Sequence, residues 1–354
     1  MKLSSNSSKA PAVVLVAASC LWIFAMLTSA SKPHPDSSYH LLKKVKLGGQ
    51  GFYDYFGIDV PARHIFVTNN NRVVVIDADS GAIVGEITDP KIDGVHGVAV
   101  VDDIGRGFTS NGITNTVTIF DLKTLKPIGT VDTGKHPDAI IYDPASGLVF
   151  VFDGESKDAT AIVAATGTVA GTIPLGGKPE FAASDDAGGV FVNIEDKNEV
   201  VAIDSHALKV ANRWPTAPCD EPAGMAIDAK TSRLFVGCHN KMMAVMDTKT
   251  GKVVATPPIG ARVDANRFDP GTNLAFSSNG EGTLTVIHED SPDKYTVLEN
   301  VTTEVGARTL EVDPKTHNVF LVTADLTPTP PTPENPHPHP TVVPDTMRLL
   351  IYTQ

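Results

Sequence analysis

The chain has 354 residues and a formal net charge of −12, from 41 Asp and Glu against 29 Lys and Arg. With 42% hydrophobic and only 20% charged residues it can bury a sizeable core, which excludes global disorder. The acidic balance disfavours nucleic acid as a partner, because phosphate backbones are held by Lys and Arg neutralisation.

Met1 to Ala30 differ in character from the rest of the chain. Lys2 and Lys9 give a positive start, Ala12 to Leu27 is apolar, and Thr28-Ser29-Ala30 supplies small residues suited to signal peptidase. The apolar run is shorter than the ~20 residues that span a bilayer, so 1–30 reads as a cleaved signal peptide, with an uncleaved anchor as the alternative. Cys20 follows Ala17-Ala-Ser, which lacks the Leu that a lipoprotein box carries three residues before its Cys. Cleavage near Ala30 leaves a net charge of −14. It predicts a periplasmic or secreted protein with no stable membrane span.

From Tyr39 to Gln354 the sequence repeats. A turn-opening Asp recurs as Asp59, Asp102, Asp143, Asp185, Asp228, Asp269 and Asp313, at spacings of 43, 41, 42, 43, 41 and 44 residues. Each is followed six or seven residues later by a Phe: Phe66, Phe108, Phe150, Phe191, Phe235, Phe276 and Phe320. His136 to Val151, reading HPDAIIYDPASGLVFV, shows what the unit is. Two short apolar runs flank Asp143-Pro-Ala-Ser-Gly147, a β-hairpin in which Asp and Pro open the turn and Gly takes its left-handed position.

A third strand follows in each repeat, as in Val73 to Ile76, Val117 to Phe120, Ala161 to Val163, Val200 to Ile203, Met243 to Met246 and Leu284 to Ile287. A fourth then leaves, as in Ile83 to Ile87, Ile128 to Val131, Val169 to Ile173 and Val253 to Thr256. Four short strands in a period of ~40 residues make a propeller blade. Asn69, Asn111 and Asn279 recur at the ends of second strands and read as turn formers.

Blade seven is irregular. Its second strand is followed by LTPTPPTPENPHPHPTVVP at Leu326 to Pro344, with a Pro-rich surface loop expected over 327–344, and its third strand falls at Arg348 to Tyr352. His337 and His339 in that loop lack the acidic or thiol partners of a metal site. No chain remains for a fourth strand. Leu41 to Leu47 has the alternation to fill the gap, so the fold class expected is all-β, a seven-bladed propeller of four-stranded antiparallel blades closed by the N-terminal strand.

The mature chain keeps two cysteines. Cys219 precedes the first strand of blade five and Cys238 ends the second, so the two lie side by side in the hairpin. They read either as a disulfide, which export permits, or as two small buried hydrophobes.

Phe66-Val-Thr-Asn69, Gly134-Lys-His-Pro-Asp138, Phe-Val at 150, 191 and 235, and the repeated Asp turns resemble the YVTN-repeat, YncE-like family of exported seven-bladed propellers. The resemblance covers nearly the whole mature chain. It implies the fold strongly and activity weakly, because relatives include surface-layer-type binding proteins, lactonase-type propellers, and the propeller subunits of quinoprotein amine dehydrogenases and nitrous oxide reductase.

The register of the repeat supplies a site. Five residues before the turn Asp, where the innermost strand meets the channel mouth, stand Asp54, Asp138, Glu180, Ala223, Asp264 and Arg308, and alignment on Phe108 adds His96. Most of these are ionisable, while neighbouring strand positions are apolar. The plain reading is a wet channel mouth in which Arg308 offsets Asp264 and Asp54. The sharper reading is a divalent cation or polar ligand on Asp54, His96, Asp138 and Glu180, with oxygen dominance leaning toward calcium and the imidazole admitting zinc, manganese or iron. His136 and His239 lie near the same rim by register.

Motifs for serine hydrolases, nucleotide loops, zincins and covalent haem are missing from the sequence. The function expected is therefore an exported, monomeric binding or scaffold module that uses the channel mouth for a small ligand, cation or protein partner. The alternative is a metal-dependent hydrolase of lactone type, with Glu180 or Asp138 as base.

Overall fold

Asp143-Pro-Ala-Ser-Gly147 makes its turn in the expected way. Gly147 is left-handed (φ 69°), its N–H donates to the Asp143 carbonyl at 3.0 Å, and the Ser146 N–H and hydroxyl donate to Asp143 Oδ2 at 3.0 and 2.6 Å. The turn joins Pro137–Asp143 to Leu148–Asp153, and Asp158–Val163 and Thr168–Pro174 complete an antiparallel four-stranded sheet.

The computed structural model describes residues 1–2, 38–330 and 340–354, and repeats this sheet seven times as a β-propeller. Six blades are built from consecutive strands, including fourth strands Lys209–Pro215 and Lys294–Thr302 in blades four and six. The seventh combines Leu310–Val312, Val319–Thr323 and Arg348–Thr353 with His40–Lys46 from the other end of the chain. Register runs from His40 opposite Thr353 to Lys46 opposite Arg348. The closing strand is the one expected, one residue earlier at each end. The stems of the Pro-rich insertion pair as Leu326–Thr327 with Thr341–Val342; His337 and His339, like Cys20 and the rest of the expected signal segment from residue 3, lie outside the described residues.

The repeating Phe is the core residue of every blade: Phe66, Phe108, Phe150, Phe191, Phe235, Phe276 and Phe320 are all buried. Each such burial stabilises by ~1.5–3 kcal/mol. The repeating Asp joins blades as well as making turns. Asp143 accepts from Ser184 of the next blade at 2.7 Å, Asp269 meets His317 of the next at 2.6 Å, and Asp313 of blade seven meets Arg63 of blade one. Cys219 and Cys238 form a disulfide with their Cα atoms 5.5 Å apart.

The asparagines correct one expectation. Asn69, Asn111 and Asn279 are buried and do not take the left-handed turn positions, which fall to Asn70 (φ 52°) and Asn115 (φ 56°) in the first two blades. Two of the amides staple the hairpin instead, Asn111 donating to Thr116 and Thr118 at 3.2 and 3.0 Å and Asn279 to Thr283 and Thr285 at 3.1 and 3.0 Å, while Asn69 donates to the Gln50 carbonyl at 3.2 Å. A primary amide carries both donors and acceptor, which suits this buried position.

Among the described residues no helix is long and apolar enough to cross a membrane.

Candidate functional site

The innermost strands do not begin smoothly. Pairing register slips between Val95 and Gly97, Pro137 and Ile140, Pro179 and Ala182, Pro222 and Met225, and Val263 and Ala265. Each slip brackets the residue five before the turn position: His96, Asp138, Glu180, Ala223 and Asp264. A bulge leaves a residue out of the ladder and re-aims its side chain. Repeated in these five blades, it delivers His96, Asp138, Glu180 and Asp264 to the channel mouth, while Asp54 and Arg308 stand just before their strands, Phe56–Asp59 and Leu310–Val312, with no slip.

Asp54, His96 and Asp138 come together. His96 Nδ1 lies 2.7 Å from Asp54 Oδ2 and 3.5 Å from Asp138 Oδ1. The ligating atoms of the three all lie within 4.8 Å of one another. Asp54 and Asp138 are 6% and 9% exposed, yet Asp54 Oδ1 and Asp138 Oδ1 have no hydrogen-bond partner. Their backbones are fixed. The Asp54 N–H donates to Thr68, its carbonyl accepts from Thr309 at 3.1 Å, and the Asp138 carbonyl accepts from Ser110.

The other ring members pair elsewhere. Glu180 Oε1 is held at 2.5 Å by Lys178, which also binds Glu195 at 2.6 Å. Arg308 Nε sits 3.0 Å from Asp264 and its Nη2 4.0 Å from Asp54 Oδ1. Blade five leaves a gap at buried Ala223. Of the set of four expected from the sequence, Asp54, His96 and Asp138 bring ligating atoms close enough to share one ion, and Glu180 is paired with Lys178.

Electrostatics follow burial. Burial raises the pKa of Asp54, with His96 opposing and Asp264 reinforcing, and raises that of Asp138, again with His96 opposing. Burial disfavours the His96 imidazolium, but Asp138 and Asp54 outweigh it and lift its pKa to about 9. Burial and then Asp138 raise Glu180 well above the usual carboxylate range against the pull of Lys178. Burial thus opposes charge on all three members of the trio, and Asp54 Oδ1 and Asp138 Oδ1 lack a hydrogen-bond donor.

A second tier surrounds the first. Two residues earlier in each repeat stand Phe52, Gly94, His136, Lys178, Glu221, Arg262 and Gly306. Gly94, His136, Glu221, Arg262 and Gly306 all have positive φ, between 49° and 88°, so the chain bends sharply there into the strand. His136 and Phe52 bring their rings to 5.1 and 5.0 Å from that of His96. His239 instead meets Glu221 at 3.2 Å, away from the trio. Extending the same repeat register by two positions finds this tier in the sequence; its pairing partners do not follow from register.

Two carboxylates and one imidazole are a divalent-metal donor set. Ligand atoms at right angles on an ion with ~2.1 Å bonds lie about 3 Å apart, and the observed 2.7 and 3.5 Å bracket that spacing. A bound ion would also satisfy Asp138 Oδ1, the unbonded oxygen that faces His96.

No family model and no curated protein matches the chain. Among solved structures it is similar to "Kuenenia stuttgartiensis Hydrazine Synthase", with a TM-score of 0.67 and 15% identity, over 78% of this chain and 94% of that one. It is also similar to a chain of "Crystal Structure of Mitotic Checkpoint Complex", with a TM-score of 0.71 and 14% identity, over 96% and 99%. At these identities the likeness shows the fold alone.

Proposed function

We propose that this chain is an exported binding module of the YVTN-repeat, YncE-like type, and that it captures a small polar ligand through a divalent cation at one mouth of its channel. One observation carries the reading: Asp54, His96 and Asp138 bring ligating atoms within 4.8 Å of one another, and buried Asp54 Oδ1 and Asp138 Oδ1 have no hydrogen-bond partner. With Glu180 engaged by Lys178, the remaining donors favour manganese or zinc over calcium, which prefers six to eight oxygens. The ion would supply Lewis acidity and open coordination positions. The chain's own contribution is orientation by the bulges, exclusion of water by burial, and a histidine and phenylalanine at the rim.

Elemental analysis and thermal unfolding test this. Manganese or zinc at a hundred times its dissociation constant should add ~2.7 kcal/mol of stability, EDTA should remove it, and Asp138→Asn should abolish the response while leaving the fold intact. A metal-free protein whose melting ignores both additions would sink the reading. His136, next to His96 and outside the three ligating atoms, favours a second reading as a hydrolase of lactone type in which His136 acts as base. Lactone turnover that is lost in His136→Ala with metal content unchanged would support it.

A further inference from the structure

The central channel is divided in two by its own sequence. The residue after each ring position is Tyr55, Gly97, Ala139, Phe181, Gly224, Ala265 or Thr309. Only two of these are large. Tyr55 and Phe181 fill the space that glycine and alanine leave, and their rings meet edge to face at 4.6 Å. Tyr55 and Phe181 each directly follow a ring carboxylate, Asp54 and Glu180, which places this aromatic pair next to the charged mouth.

Beyond the pair, toward the Asp turns, lies a cavity of about 520 Å³ lined by Tyr55 and Phe181 and by none of the ring residues. Two further positions along the strands, small side chains open the space: Gly57, Ala99, Ala183 and Ala226. The same tier supplies Arg267 and Glu311, joined in a bidentate pair at 2.8 and 3.0 Å, with the guanidinium 4.7 Å from the Phe181 ring centroid. Arg267 is thereby neutralised and stacked, not free to recruit an anion. At the open end stand Asp102, Asp103 and Asp186, which make no ion pair among the described residues. The lining thus holds four carboxylates against one guanidinium that is already paired.

Apolar walls, a closed floor and an acidic opening have one complement. We infer that this cavity binds an organic ammonium ion, its apolar body against the small-residue tier and its charge beside Asp102, Asp103 and Asp186. The volume falls in the ~300–1,000 Å³ range of small-molecule sites. The site is chemically distinct from the metal-type mouth on the far side of Tyr55 and Phe181, so the two can fail separately.

Calorimetric titration of the full chain with phenethylammonium, 3-phenylpropionate and phenethyl alcohol tests the inference. The ammonium should bind at least about tenfold more tightly than the carboxylate, a difference of ~1.4 kcal/mol. Neutralising the opening (Asp102→Asn, Asp103→Asn and Asp186→Asn together) should weaken the ammonium about five- to tenfold and leave the alcohol unchanged, because exposed pairs contribute under ~1 kcal/mol each. Ala183→Leu, or Ala226→Leu if the first does not fold, should abolish binding of all three, and EDTA should change none of them. The inference is overturned if the carboxylate binds as tightly as the ammonium. It is equally overturned if ammonium binding survives cavity filling, or if none of the three binds at 10 mM, roughly the weak limit of a −2.7 kcal/mol site.

Discussion

Asp153 holds the position that Asn69, Asn111 and Asn279 hold in other blades, and it does so as a buried acid. In blade two the amide donates to Thr116 and Thr118; in blade three the matching partners are Asp158 and Thr160. Thr160 donates to Asp153 Oδ2 at 2.8 Å, and the Asp158 carboxyl stands beside it where the asparagine blades have a threonine. Burial, reinforced by Asp158 and opposed by Thr160, raises the Asp153 pKa to about 7. A carboxylic acid raised in the folded state stabilises below its unfolded pKa, near 4, and that contribution is lost as pH rises through 7. A shift of roughly three units corresponds to about 4 kcal/mol, an upper figure because the two carboxyls titrate as a pair. Asp153→Asn restores the donor that blades two and six use. Urea unfolding at pH 5 and pH 8 should show the parent losing up to about 2.7 kcal/mol over that interval relative to the variant, the two units between pH 5 and 7, with the variant more stable at pH 8. Equal pH slopes in the two proteins, or a variant less stable at pH 8, would refute the reasoning.

Two further outcomes are expected. Arg63→Ala strips the buried Asp313 of its cation at the junction of blades seven and one and should cost about 3 kcal/mol near neutral pH, measured by urea unfolding. Arg63, working against burial, holds Asp313 at about 2, so stability present above pH ~4 is lost as pH falls through 2 in the parent and less steeply in the variant. Replacing Cys219 and Cys238 by Ser opens a crosslink over a sequence separation of 19 and should cost roughly 3 kcal/mol; a variant that melts like the parent would place the constraint elsewhere.

The fold is legible in the sequence because its signals are local and recur: an Asp that makes a turn, a Phe that fills a blade, a period that counts to seven. The missing fourth strand of blade seven is legible by subtraction, and His40–Lys46 fills it. Ring membership is legible for the same reason, since register transfers from blade to blade. Pairing within the ring is not. Nothing in the period says that Lys178 takes Glu180 while the Asp54 and Asp138 oxygens stay open, because those outcomes depend on distances between blades. The bulges leave no trace in the sequence either. They alter hydrogen-bond partners without altering the hydrophobic alternation from which strands are read. Asn111 reads wrongly as a turn former because asparagine's turn preference is a local property, whereas its burial is set by the sheet around it.

The seventh blade carries a consequence in time. Six blades can assemble from neighbours in sequence, but His40–Lys46 finds its partner only in Arg348–Thr353, so the earliest strand of the ring to be made is the last to be placed. Until residue 353 is available the sheet array has two open edges and no fixed circumference, a slow, long-range closure of the kind that governs folding rate more than stability. The two ends of the ring's own stretch of chain also lie side by side, with His40 opposite Thr353. Physically the circle has no first blade, and the numbering merely records where ring and chain were cut.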